Sequence, residues 1–156
     1  HLITLPVVET LKPKTIVHLD AHRDLISGEK EKFAHNTWAY FASNLGFKII
    51  QIGARSWEEV EEENVERFEI KDSLKNVEGP IYLTIDMDVF DPIYAPDTGF
   101  KEPNGLSPQE VFKIIDEVFK TGKVLGMDIV EISSNRFNNP TSELAARTIL
   151  RGLSNL

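Results

Sequence analysis

Cysteine is missing from the 156-residue sequence. Its absence excludes disulfides, thiolate zinc sites and cysteine nucleophiles together, so any metal must be held by imidazole nitrogen and carboxylate oxygen. A cysteine-free composition fits a reducing compartment, and the chain is expected in the cytoplasm. Long apolar runs are also missing, none approaching the roughly 20 residues of a membrane span, so no membrane partner is expected. Positive charge is scarce: 17 Lys and Arg stand against 25 Asp and Glu, a formal net charge of -8. That balance disfavours the basic surface needed to hold a phosphate backbone, and no nucleic-acid partner is expected. The sequence opens on His1 rather than Met, with no basic-then-apolar segment behind it. Histidine is confined to positions 1, 18, 22 and 35 and never recurs, so something local uses imidazole.

What is present reads as one soluble domain of alternating helices and strands. A helix is expected over residues 4–11, with Pro6 tolerable near its opening turn. A strand follows over 15–19, Val17 and Leu19 pointing one way and Ile16, His18 and Asp20 the other. Residues 37–45 form a helix with Trp38, Phe41 and Leu45 on one face and Gly46 as its stop, and 47–52 a strand. Ser56 and Glu59 make a capping box for a helix opening at Val60, whose glutamate run reads as a solvated face. A strand at 81–85 leads into a long Pro/Gly-rich loop over 90–106, a length usually reserved for function or mobility. Ser107, Pro108 and Glu110 start another helix, with Val111, Ile114, Ile115 and Val118 as its buried stripe and Gly122 as its stop. A strand at 124–130 and a helix at 141–153, with Leu144, Ala145, Thr148 and Ile149 on one side, complete the order. Such alternation implies right-handed crossovers, a mainly parallel sheet and helices on both faces, a three-layer α/β/α fold.

Ligands of such sheets bind beyond the carboxyl ends of the strands, which directs attention to residues 20–24, 53–56, 86–91 and Glu131. Two of these segments are dense in ligand chemistry. In Asp20-Ala21-His22-Arg23-Asp24, alternate positions offer carboxylate, imidazole and carboxylate to one side, and Asp86 and Asp88 share a side in the same way. Capping or turn formation would account for any one of these aspartates, but caps do not require both alternating clusters at one sheet end. Four carboxylates gathered there would repel unless cations sat among them. Oxygen-rich donors with some imidazole suit Mn²⁺ better than soft metals, and Zn²⁺, Fe²⁺, Co²⁺ and Ni²⁺ stay open. A paired site would acidify a water at neutral pH.

These residues resemble the ureohydrolase family, that of arginase and agmatinase. The likeness is carried by Asp20-Ala21-His22-Arg23-Asp24 and by Thr84-Ile85-Asp86-Met87-Asp88-Val89-Phe90-Asp91-Pro92. Ala95-Pro96-Asp97-Thr98-Gly99, Gly105-Leu106-Ser107, Gln51-Ile52-Gly53-Ala54-Arg55-Ser56 and Gly126-Met127-Asp128-Ile129-Val130-Glu131 extend it along the whole chain. The opening His1-Leu2-Ile3-Thr4-Leu5-Pro6 looks like the continuation of the family's Gly-Gly-Asp-His motif. The resemblance implies an arginase-like fold of which residues 1–156 form a single catalytic domain fragment, the C-terminal part.

By the same resemblance, one metal is implied on His1, Asp20, Asp24 and Asp86 and the other on His22, Asp20, Asp86 and Asp88. Two Mn²⁺ per subunit are the implied cofactors. Asp24 would pass a proton from the bridging hydroxide to the departing amine, Glu131 would pair with the substrate guanidinium, and His35 looks like the family's mobile-loop histidine. His18 reads as a packed residue or one supporting the ligands. The implied reaction is hydrolysis of a small cationic guanidino substrate to urea and an amine. Agmatine is favoured over arginine, because residues 25–34 lack the Asn- and Ser-bearing loop by which arginases recognise an α-amino acid. Arginine, guanidinobutyrate and formimino substrates remain as alternatives within the family. Asp97 and the pair Ser133 and Ser134 depart from the family pattern and bear on loop shape. A homo-oligomer, trimer or hexamer, is implied as well. From other classes, a metal-dependent phosphoesterase and a non-catalytic metal-binding member compete; the first lacks a glycine-rich phosphate cradle and would set Glu131 against an anion.

Overall fold

Five parallel strands, β1 (Thr15–Leu19), β2 (Lys48–Ile52), β3 (Phe68–Ile70), β4 (Ile81–Asp86) and β5 (Val124–Val130), form one sheet in the order β3-β2-β1-β4-β5. The computed structural model describes residues 1–27, 33–56, 68–70, 74, 77–134, 136 and 138–156. The helices are α1 (Thr4–Leu11), α2 (Trp38–Asn44), α3 (Pro108–Thr121) and α4 (Pro140–Leu153), with short 3-10 turns at His35–Thr37 and Met87–Val89. All four expected strands form, within a residue or two at their ends, and β3 adds a short edge strand that the sequence did not signal. The helix expected from the Ser56 and Glu59 capping box lies outside the described residues.

Side-chain alternation along the strands divides the interior into two cores. Val17, Leu19, Ile50, Ile81, Leu83 and Ile85 join Val111, Ile115 and Val118 of α3 and Leu144 and Ala145 of α4 on one face. Ile16, Ile49 and Tyr82 join Leu5 and Val8 of α1 and Trp38, Ala39 and Ala42 of α2 on the other. The sheet is thus covered on both sides, the three-layer arrangement expected. Helix α3 starts as its sequence dictates: the Ser107 hydroxyl accepts the Glu110 amide at 3.3 Å, and the Glu110 carboxylate accepts the Ser107 amide at 2.8 Å. On α4, Ile149 does not join the buried stripe but is 43% exposed, since Leu144, Ala145 and Thr148 complete the contact.

The chain leaves β1 to build β2 and β3 on one side, then returns to build β4 and β5 on the other. The sheet therefore reverses its direction of growth between β1 and β4, and a crevice opens at their carboxyl ends. The segments 20–24 and 86–91 follow these two strands.

Two glycines hold the crevice's backbone in place. Gly53 has φ +100°, and a Cβ there would lie 2.7 Å from Val89 Cγ2 and 3.2 Å from the Asp20 carbonyl oxygen. At Gly105 a Cβ would overlap the backbone nitrogen of Asp91. That close approach lets the long loop shut at its base, where Asp91 N–H donates to the Leu106 carbonyl at 3.0 Å and Leu106 N–H to the Val89 carbonyl at 2.9 Å.

Candidate metal and catalytic site

The crevice is a small pocket of about 110 Å³ lined by His1, His22, Asp24, His35, Asn36, Asp86, Asp88, Gly99, Phe100 and Glu131. Every candidate site residue named from the sequence lines it except Asp20, which is fully buried beneath it. Residues from six separate stretches of chain converge here.

The deeper part gathers around His1. Its Nδ1 lies 3.1 Å from Asp20 Oδ2, 3.2 Å from Asp24 Oδ2 and 3.3 Å from Asp86 Oδ2. Yet this buried nitrogen makes no hydrogen bond with any of them. A buried nitrogen facing three carboxylate oxygens without hydrogen-bond geometry is a donor set for a cation, which would satisfy all four atoms at once. The electrostatics agree. Burial, then the neighbouring Asp24, push the Asp20 carboxyl well above the usual carboxylate range, and burial, then Asp20, do the same to Asp86. Burial by itself would lower the His1 imidazole, but Asp20, Asp24 and Asp86 outweigh it and raise it. Crowded carboxylates take up protons when no metal charge offsets them.

The shallower part gathers around His22. Its Nδ1 lies 2.7 Å from Asp88 Oδ2 and 3.8 Å from Asp20 Oδ1. Asp88 is anchored by the Ala21 amide at 3.0 Å on its Oδ1. Although burial opposes ionisation of Asp88, His22 and the Ala21 amide hold its carboxyl below the usual range. Asp20 belongs to both groups, and Asp86 links them, offering Oδ2 toward His1 and accepting the Asp88 amide on Oδ1 at 2.9 Å.

Local backbone geometry sets these side chains. Asp24 and Glu131 are non-glycine residues with φ of 54° and 62°, a conformation that costs about 1–3 kcal/mol and persists where surroundings enforce it. At Asp24 the enforcement is visible: its carbonyl accepts the Ala39 and Tyr40 amides, and its Oδ2 accepts Trp38 Nε1–H at 2.8 Å. The Glu131 carboxylate turns into the pocket and meets the backbone nitrogen of His1. His35, on its 3-10 turn at the mouth, stacks on Phe100 with ring centroids 5.6 Å apart. His18 is fully buried with its Nε2 2.7 Å from Asp20 Oδ2, and its ring stands close enough to His1, Asp20 and Asp24 to join them around a cation. The departures at Asp97 and Ser133 meet each other, the Ser133 amide donating to the Asp97 carbonyl at 2.9 Å just beyond Glu131.

Several site residues escaped the sequence reading. Trp38 counted only as a core residue, and Phe100 carried no signal beyond its place in the long loop. Arg55 stood inside a strand-end segment flagged for chemistry, but its task is structural. Its guanidinium donates to the carbonyls of Asp88 and Glu102 at 2.7 Å each, Pro103 at 2.9 Å and Gly53 at 3.2 Å, tying the Asp88 turn to the loop over the pocket. Burial lowers the Arg55 pKa, which the acids around it oppose. Thr84 and Asp128 could have been found by alternation, since both share the sheet face of Tyr82 and Asp86.

Known proteins are similar to this chain in sequence and fold. The Arginase family model matches residues 1–154. An agmatinase of Pyrococcus horikoshii is 34% identical over 96% of this chain, and an N(1)-aminopropylagmatine ureohydrolase of Thermococcus kodakarensis is 32% identical over 96%. The crystal structure of an agmatine ureohydrolase of Thermoplasma volcanium superposes on 99% of the chain with a TM-score of 0.83 at 31% identity, covering 59% of that protein. The chain spans a little under three-fifths of the curated relatives it matches, 58% and 57% of the two named. With this match along nearly all its length and this fold, the chain belongs to the arginase family, whose membership implies a binuclear metal site.

Proposed function

We propose that this chain carries the catalytic part of a binuclear-manganese ureohydrolase that cleaves agmatine to putrescine and urea. The observation that carries the proposal is the convergence of His1, Asp20, His22, Asp24, Asp86 and Asp88 in two donor groups that share Asp20, with Glu131 facing the same pocket. His1, Asp20, Asp24 and Asp86 would hold one Mn²⁺, and His22, Asp20, Asp86 and Asp88 the other. When bound, such a pair lowers the pKa of water so that it attacks at neutral pH.

The chain's own residues supply the rest. Glu131 pairs with the guanidinium through charge-assisted hydrogen bonds and orients its carbon toward the floor of the pocket. Asp24, its rotation fixed by Trp38, takes the proton of the attacking water and returns it to the departing amine. His35 and Phe100 guard the mouth and limit water around the reacting group. Substrate choice follows from charge. The described lining includes no Lys or Arg, and Arg55 is committed to backbone carbonyls, so no cationic side chain of the described lining answers the carboxylate of arginine. Agmatine is a dication and meets a lining of carboxylates, imidazoles, the Asn36 amide and an aromatic face. The agmatinases among the relatives point the same way. Homo-oligomerisation, as a trimer or hexamer, belongs to the same reading.

The test is urea release from agmatine by protein loaded with Mn²⁺. Turnover of agmatine with little from arginine supports the reading. A metal-loaded protein that releases no urea from agmatine, arginine or guanidinobutyrate overturns it, and phosphate release from p-nitrophenyl phosphate would support the phosphoesterase instead.

A further inference from the structure

Behind His1 lies a hydroxyl-and-carboxylate network that none of the proposed catalytic steps uses. His1 Nε2 is 2.7 Å from Thr84 Oγ1, and Thr84 Oγ1 is 2.5 Å from Asp128 Oδ1. The other carboxylate oxygen, Oδ2, accepts the Thr4 hydroxyl at 2.9 Å and the Tyr82 hydroxyl at 2.8 Å. Thr84 and Asp128 are direct cross-strand partners on β4 and β5, and His18 is the partner of Thr84 on β1, so the sheet register itself brings them together.

Counting protons gives this network a direction. A threonine hydroxyl has one proton to donate, and a carboxylate only accepts. The Thr84 proton therefore goes to Asp128, and the Thr84 oxygen has only lone pairs left for His1. His1 Nε2 must be the donor. In the neutral ring the proton then resides on Nε2 and the lone pair on Nδ1, the nitrogen that faces Asp20, Asp24 and Asp86 without a hydrogen bond of its own. Trp38, stacked on the imidazole at 4.8 Å, and His18, edge-on at 4.9 Å, prevent the ring from turning away.

We propose that Asp128 is a positioning residue which, through Thr84, holds His1 in the Nε2–H tautomer and so presents Nδ1 to the inner cation. The inference rests on the metal-site reading above but concerns residues that reading leaves without a role. Replacing the Asp128 carboxylate by an amide, as in Asp128→Asn, should reverse the chain of donors. The new amide N–H can donate to Thr84, whose proton then turns to His1 Nε2 and forces the proton of the ring onto Nδ1. Disturbing a partner of this kind typically weakens metal binding by about 10–100-fold.

The experiment is a Mn²⁺ binding isotherm, read by electron paramagnetic resonance of the free ion, on wild type and on Asp128→Asn, Thr84→Val, Thr84→Ser and Tyr82→Phe, with circular dichroism as the check on folding. The proposal expects two ions on wild type, one of them weakened about 10–100-fold in Asp128→Asn and Thr84→Val. Thr84→Ser, which keeps the hydroxyl, should restore affinity, and Tyr82→Phe, which leaves the Thr84 arm intact, should change it little. Should Asp128→Asn fail to fold, the nearly isosteric Thr84→Val against Thr84→Ser decides. Two ions bound with wild-type affinity in Thr84→Val, or no recovery in Thr84→Ser, overturn the inference and leave the metal site standing. No Mn²⁺ on wild type overturns the metal-site reading and this inference with it.

Discussion

The deep and shallow halves of the pocket use the same residue types to opposite electrostatic effect. Around His1, three carboxylates crowd a buried imidazole nitrogen without bonding it, and burial pushes Asp20 and Asp86 toward protonation. Around His22, a ring-nitrogen contact of 2.7 Å and a backbone amide hold Asp88 below its ordinary range. The difference is one of crowding: the deep carboxylates face one another in full burial, and the donors they have, His18 on Asp20, Trp38 on Asp24 and the Asp88 amide on Asp86, do not offset it, whereas Asp88 has both the His22 ring and the Ala21 amide to itself. On the proposed metal reading the deep group depends on a cation, and the residues at the mouth can be altered while the metal stays.

The largest effect is expected from Asp86→Asn, which removes charge from the residue linking the two groups. Bound Mn²⁺ and urea release should both be lost, as measured by metal analysis and a urea assay; retention of both ions would erase the distinction between halves. Next comes His35→Ala at the rim. It should leave Mn²⁺ stoichiometry intact while lowering kcat by about 10-fold, less than the loss of an acid or base would cost, because the mouth then admits water, and loss of metal there would break the comparison from the other side.

A smaller effect is expected beneath the deep group. Burial, then the charge of His1, push the His18 imidazole down to about 3 from its ordinary 6.5. With the folded value depressed, the neutral ring contributes its full stability above about pH 6.5, and that contribution is lost as pH falls toward 3 because only the unfolded chain takes up the proton. Between pH 7 and pH 5 the loss is about 2 kcal/mol. Urea denaturation at the two pH values should show this decrement reduced in His18→Asn; an equal decrement in both proteins would mean that His18 does not remain neutral. The smallest effect belongs far from the pocket. Ser107→Ala removes the α3 cap and should cost about 1 kcal/mol in the same denaturation assay with urea release unchanged.

Much of the fold was legible because its signals are local. Alternation in residues 15–19 assigned Val17 and Leu19 to one core and Ile16 to the other, and the Ser107–Glu110 box marked the start of α3 to the residue. The edge strand β3 was not legible, since three residues, Phe68, Glu69 and Ile70, carry too little pattern to stand out. Ile149 was misplaced for a related reason: helical periodicity gives a face, but the width of the buried stripe depends on what packs against it.

The sequence by itself determined the chemistry available in this chain: no thiolate, a surplus of acid, and two alternating clusters, Asp20/His22/Asp24 and Asp86/Asp88, of a kind suited to cations. It also determined that both clusters sit at strand ends, because side-chain periodicity and turn chemistry are properties of short stretches. Only the tertiary structure decided that β1 and β4 are neighbours at the point where the sheet reverses its growth, which brings Asp20 and Asp86 to one pocket and His1 over them. It likewise decided the partners of His1, since Thr84 and Asp128 meet through strand register and Trp38 through the packing of α2. Those relations join residues far apart in the chain, and no local pattern of residues encodes a distance in space.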